Sequence, residues 1–359
     1  MVIQPSFDIR VPDPPRPVTI NRKANLVYEL HCINFSNVPL LIKKIEVLDS
    51  KNSSVVSVFR EDEIINRLYK PCDTSGEIRS SKINPGCVGI IYIEIVIENL
   101  SNLAGLQHKI NFQTKKEDSG KYYESKGAFV KIASDPVILL GAPLAGGPWV
   151  AIHEPSWERG HRRVIYTADG KARIPGRFAI DFIKLDDIGM VATGERNVIK
   201  NWYGYGVDVV AVADGTISTI RNDFPESPVL SEHPAYNSSQ ATGNYISMEI
   251  GKNKFVFYEH LKPGSIRVKP GQRVKKGDVI ANLGFTGQTT GPHLHIHVAD
   301  ADSPLGAEGL PFAFESFMLL GSYSDFTIFE KARWQDKNQE ISSKIINERP
   351  APNTVISFR

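Results

Sequence analysis

Thr290-Gly291-Pro292-His293-Leu294-His295-Ile296-His297-Val298 sets three imidazoles at positions i, i+2 and i+4. In a β-strand these positions share one face, and Leu294, Ile296 and Val298 occupy the other. The Thr-Gly-Pro turn in front and the alternation behind predict a half-buried strand that leaves a tight loop. Neutral imidazole is the commonest metal ligand. Three on one face point to a metal site rather than to a solvated polar surface.

Two further apolar runs carry titratable groups. Arg177-Phe178-Ala179-Ile180-Asp181-Phe182-Ile183 reads as a strand with an embedded carboxylate, which must be paired or bound to a metal if it is buried. On such a strand Arg177, four residues before Asp181, shares its face and is a candidate ion-pair partner. Phe255-Val256-Phe257-Tyr258-Glu259-His260-Leu261 ends a second strand on His260.

The fold class read from these patterns is mainly β. Leu26-Val27-Tyr28-Glu29-Leu30 and Val88-Gly89-Ile90-Ile91-Tyr92-Ile93-Glu94-Ile95 alternate, and clusters such as Asp49-Ser50-Lys51-Asn52-Ser53 break the runs. Short strands at this spacing predict an immunoglobulin-like β-sandwich over residues 1–140, of unassigned role. The Gly- and Pro-rich stretch around residues 141–150 reads as a linker. A β-rich domain is expected over 151–320, and a C-terminal extension over 321–359 with a short helical candidate at 329–345.

Composition narrows the classes of function. A chain of 359 residues with 42 Lys+Arg against 40 Asp+Glu, net +2, lacks the basic excess of a nucleic-acid surface. Hydrophobic residues at 41% are too plentiful for disorder. Cys32, Cys72 and Cys87, an odd set without CxxC spacing, are read as idle thiols, with one bridge open in an oxidising compartment. No apolar run approaches the ~18–20 residues that span a membrane, and Met1-Val2-Ile3-Gln4-Pro5 lacks the features of a signal peptide.

The pieces resemble a known family in their order. Gly215-Thr216-Ile217, Tyr258-Glu259-His260-Leu261, Val274-Lys275-Lys276-Gly277-Asp278-Val279-Ile280, Gly284-Phe285-Thr286-Gly287 and Thr290-Gly291-Pro292-His293-Leu294-His295 resemble the lysostaphin-type zinc metallopeptidases, which cut peptide cross-links of bacterial cell walls. The resemblance spans residues 177–300. It implies a lysostaphin-type peptidase domain, one Zn²⁺ ion, peptidoglycan or its stem peptides as substrate, and a place outside the cytoplasm. It also implies zinc ligands at Asp181 and His295, with His260 and His293 as the histidines that serve the reaction.

At the family's remaining ligand position stands Arg177, and a guanidinium does not ligate. Two substitutes are open. His297 shares the face of His295. His161 lies ahead of a hairpin centred on Asp169-Gly170, which brings it beside Arg177, and a bulge at Pro175-Gly176 is needed to turn it to the Asp181 face. His161 is the preferred third ligand. The remaining outcome is a metal-free site in which Arg177 pairs with Asp181 and the domain binds wall peptide or regulates another wall hydrolase. A carrier reading of Val274–Ile280, of the lipoyl or biotinyl kind, lacks an exposed hairpin Lys between apolar neighbours.

Overall fold

The computed structural model describes residues 6–72, 80–114, 121–153, 160–336 and 343–359. Alternating segments become strands throughout, and α-helix is confined to Glu61–Arg67 among the described residues. The chain divides into two units, Met1–Pro136 and Val137–Arg359.

In the first unit two antiparallel sheets form, each of five strands among the described residues. Lys23–Asn34 pairs with Val88–Ile97 so that Tyr28 lies opposite Ile93. Leu40–Asp49 pairs with Leu106–Thr114 so that Ile45 lies opposite Ile110. Leu26, Leu30, Ile91 and Ile93 from one sheet meet Ile42, Ile45, Val47 and Phe112 from the other in one core. Burying each of these side chains contributes roughly 1.5–3 kcal/mol before conformational entropy is subtracted. Cys72 is bridged to Cys87, and Cys32 is buried. The thiols read as idle from the sequence thus include one bonded pair.

His108 lies buried in this core. One ring nitrogen meets the Tyr28 hydroxyl at 2.8 Å and the other the Ala128 carbonyl at 3.1 Å. Nδ1–H therefore donates to the carbonyl, and Nε2 accepts from the hydroxyl. Burial lowers its pKa from 6.5 to about 4, partly opposed by the Ala128 carbonyl. Between those values the unfolded chain binds more protons than the folded one, so stability falls as pH falls from 6.5 towards 4. The full effect is about 3 kcal/mol. Hydrogen exchange of the amides in Leu106–Thr114, corrected for intrinsic rates, is expected to lose protection across that window. His108→Gln should flatten the dependence; an equal pH slope in that variant would rule the histidine out as its source.

A single twelve-stranded sheet, counted over the described residues, organises the second unit. Its central order is Phe312–Ser322, Thr354–Phe358, Gly146–Ile152, Ile180–Lys184, Leu294–Ala299, Lys254–Glu259, Tyr245–Gly251 and Gly215–Arg221. The predicted linker 141–150 therefore holds the start of an internal strand, Gly146–Ile152. The expected extension 321–359 supplies Thr354–Phe358 to the middle of the sheet and Ser343–Glu348 to its flank. No α-helix occurs in the described part of 329–345; residues 337–342 of that stretch lie outside the described residues. Ser343–Glu348, Ser-Lys-Ile-Ile-Asn-Glu, has no period-two alternation of its own and is extended by pairing with Phe312–Ser322.

Candidate active site

Three neighbouring strands bring the titratable groups into one row. Asp181 on Ile180–Lys184 lies directly opposite His295 on Leu294–Ala299, and His295 lies opposite Glu259 on Lys254–Glu259. Cross-strand partners share a face, so one carboxylate, one imidazole and a second carboxyl stand side by side. Leu294, Ile296 and Val298 are fully buried on the opposite face and hold the strand in register. A one-residue slip would bury all three histidine positions in the apolar layer.

The two loops ahead of Asp181 depart from the extended chain read from the sequence. Pro175–Phe178 is a 3-10 turn with Pro at its start, and the strand begins only at Ile180. Proline fixes φ and donates no N–H, which suits the first position of a helical turn and not the interior of a sheet. Arg177 consequently leaves the Asp181 face. It is buried and pairs with Glu308, where the metal-free alternative has it pair with Asp181. Arg349, also buried, donates to the Phe178 carbonyl at 2.8 Å and the Ala179 carbonyl at 3.0 Å, fixing the chain just ahead of the strand.

His161 begins a second 3-10 turn, His161–Arg163, packed on the first. The hairpin about Asp169-Gly170 is present but short, Tyr166–Ala168 with Lys171–Arg173. A bulge in a long hairpin is therefore not what orients His161; the packed turns do so. Their close approach depends on Gly176, where a Cβ would stand 2.7 Å from the Cβ of His161. His161 Nε2 lies 3.0 Å from Asp181 Oδ2, and its ring centre is 4.6 Å from that of His295. His295 Nδ1 lies 3.0 Å from Asp181 Oδ1. One donor atom from each of His161, Asp181 and His295 falls within 4.8 Å of the others. Two imidazoles and a carboxylate converging at that spacing are a donor set that fits zinc.

His260 and His293 flank this cluster. His260 follows its strand with φ of 61°, a left-handed conformation that turns the side chain back over the sheet. Its Nδ1 donates to the Thr286 carbonyl at 2.7 Å, which leaves the Nε2 lone pair free. His293 donates from Nδ1 to the Gly291 carbonyl at 2.8 Å and points Nε2 to Asp181 Oδ1 at 3.3 Å. The two rings are 4.6 Å apart. His297 lies further along the strand, its Nδ1 3.1 Å from His295 Nε2.

The electrostatics separate these groups. Burial, reinforced by His293 and His295, holds His260 well below its usual pKa, so it is neutral. Burial also lowers His295, to about 4, against the pull of Asp181. At His293 burial acts the same way, but Asp181 outweighs it and raises the pKa. Burial opposes charge on Asp181, yet His161 and His293 keep its carboxyl well below the usual range. Glu259 is pushed well above its range by burial and by Asp181. Side-chain exposure is 27% at His161 and 18% at Asp181 but 9% at His295, so the cluster opens to solvent at its His161 and Asp181 edge.

Glu259, Glu308 and Arg349 had no assigned role in the sequence reading. Alternation places Glu259 on the face of Phe257, which is the only local signal for any of them. The other two act over 131 and more residues of separation, which no spacing rule reaches.

Comparison with known proteins adds a family to this geometry. Residues 202–306 match peptidase family M23, a span that includes His260, His293, His295 and His297 and excludes His161 and Asp181. An uncharacterized metalloprotease of Haemophilus influenzae is 39% identical over 90 residues, 25% of this chain and 15% of that protein. The peptidoglycan DD-endopeptidase ShyB of Vibrio cholerae is 35% identical over 102 residues, 28% of this chain and 20% of that protein. ShyC, a peptidoglycan DD-endopeptidase of the same organism, is 44% identical over 64 residues, 18% of this chain and 14% of that protein. The alignment thus spans a fifth or less of these relatives' lengths. The second unit of this chain carries a domain of peptidase family M23, matched over residues 202–306.

Proposed function

We propose that the chain is a zinc metalloendopeptidase that hydrolyses peptide cross-links of bacterial peptidoglycan. The observation that carries this reading is the convergence of His161, Asp181 and His295 within 4.8 Å beside two further imidazoles. Zinc bound there would supply Lewis acidity, polarising a scissile carbonyl and activating water near neutral pH. His260, neutral and with its Nε2 lone pair free, is placed to take a proton from water. His293, which Asp181 makes easier to protonate, is placed to return one to the leaving amine. Two groups of one type whose surroundings push their pKa values apart can divide acid and base work.

The Cys72–Cys87 bridge supports a place outside the reducing cytoplasm. Among the described residues no helix is long and apolar enough to cross a membrane.

The test is digestion of purified peptidoglycan and of short cross-linked stem peptides by the zinc-loaded chain, followed as newly released amino groups. Release is expected, and it should stop with a chelator and return with added zinc. A zinc-loaded sample that binds sacculi and cuts neither substrate would instead favour a wall-binding module.

A further inference from the structure

The Nε2 of His295, on the side of the ring away from Asp181, has its own partner. A neutral imidazole carries one N–H and one lone pair. If the lone pair at Nδ1 is to face His161 and Asp181, the proton must sit on Nε2, where the ring is buried and the N–H needs an acceptor. His297 Nδ1 stands 3.1 Å from that atom. The His297 ring is itself immobilised. It is 2% exposed and lies flat on Phe257, with centroids 4.7 Å apart and planes at 15°. Sheet register sets both contacts, since His297 is opposite Phe257 and His295 is opposite Glu259.

We propose that His297 is a positioning residue, whose Nδ1 accepts the Nε2–H of His295 and so fixes the tautomer that presents the His295 Nδ1 lone pair to the His161–Asp181 cluster. This rests on the zinc reading given above. His297 is then not itself a ligand. A hydrogen-bond acceptor behind a ligating imidazole orients the ring and raises its basicity, and its loss lowers metal affinity. Two other uses of the same atoms compete: His297 Nδ1 also lies 3.6 Å from Glu259 Oε1, to which it would donate if it carried the proton, and the second use is a metal. Glu259, His295 and His297 also bring donor atoms within 4.8 Å of one another, a spacing open to a second cation. His295 Nε2 serves the metal only by giving up its proton, so that use and the proposed one exclude each other.

The experiment compares the full chain with His297→Phe and His297→Asn, by competition for zinc against a chromophoric chelator. Phenylalanine keeps the ring on Phe257 and removes the acceptor; asparagine returns a carbonyl near the Nδ1 position. His297→Phe should weaken zinc binding about 10–100-fold, with His297→Asn recovering most of the loss. On zinc-loaded parent labelled with ¹⁵N-histidine, NMR should find His295 protonated at Nε2, a measurement that decides the matter even if a variant fails to fold. Unchanged zinc affinity in His297→Phe, a His295 proton on Nδ1, or two zinc ions per chain would each overturn the proposal. A parent chain that binds no zinc would overturn the metallopeptidase reading as well; a parent that binds one, with His297→Phe unaffected, overturns this inference alone.

Discussion

His161→Ala should reduce bound zinc from one ion per chain to nearly none and lower peptidoglycan cleavage by at least about 1,000-fold. Loss of an acceptor behind a ligand weakens metal binding about 10–100-fold; removing one of only three protein ligands must exceed that. His161 Nε2, 3.0 Å from Asp181 Oδ2, supplies the third donor of the set beside Asp181 and His295. Arg177→Ala should keep the metal, because the guanidinium belongs to Glu308 and not to the cluster. Arg177→His, placed in the His161→Ala background, should not restore zinc, since position 177 lies in a 3-10 turn that faces Glu308. Elemental analysis of the parent and these variants reads all three outcomes. Full zinc in His161→Ala would remove this residue from the ligand set, and His297→Ala would be the next variant to measure.

The second large effect is on stability. Arg177 and Glu308 side chains are only 5% and 8% exposed, and their ion pair ties the Pro175–Phe178 turn to the loop after Leu294–Ala299. Removing one member of a buried pair leaves the other charge in a site stripped of water, which costs about 3–5 kcal/mol. Arg177→Ala should therefore destabilise the second unit by that amount, read as an earlier denaturant midpoint in the fluorescence of Trp149, Trp202 and Trp334. If Arg177→Ala shifts the midpoint by less than the equivalent of about 1 kcal/mol, the pair is screened like a surface bridge.

How much of this was legible in the sequence depends on the range of each interaction. The alternation from His293 to Val298 is local, and it gives a strand, Leu294–Ala299, with its imidazoles on one face. Asp181 among Ile180 and Phe182 is equally local. His161 was suggested by the Asp169-Gly170 hairpin, but the device that orients it is a pair of packed 3-10 turns with Gly176 at their contact. Pro175 carries the signal for the turn, and reading Arg177–Ile183 as one extended strand sets Arg177 on the Asp181 face, where the structure has the 3-10 turn Pro175–Phe178. Glu308 was out of reach because its partner is 131 residues away and only the folded sheet joins them. The extension was misread for a related reason. Ser343–Glu348 and Thr354–Phe358 gain their conformation from neighbours on Phe312–Ser322 and Gly146–Ile152, not from their own periodicity.

The place of Thr354–Phe358 bears on the timing of synthesis. On a ribosome the Asp181 strand emerges well before it, and the His295 strand follows while Gly146–Ile152 and Phe312–Ser322 still lack the partner that lies between them. Until residue 358 is out, the nascent sheet has two raw edges in its middle, open to pairing with other chains. Pairings this distant in sequence are slow to close. The strand order thus defers closure of this part of the sheet until Thr354–Phe358 has been made, although the strands that carry Asp181 and His295 precede it in the chain.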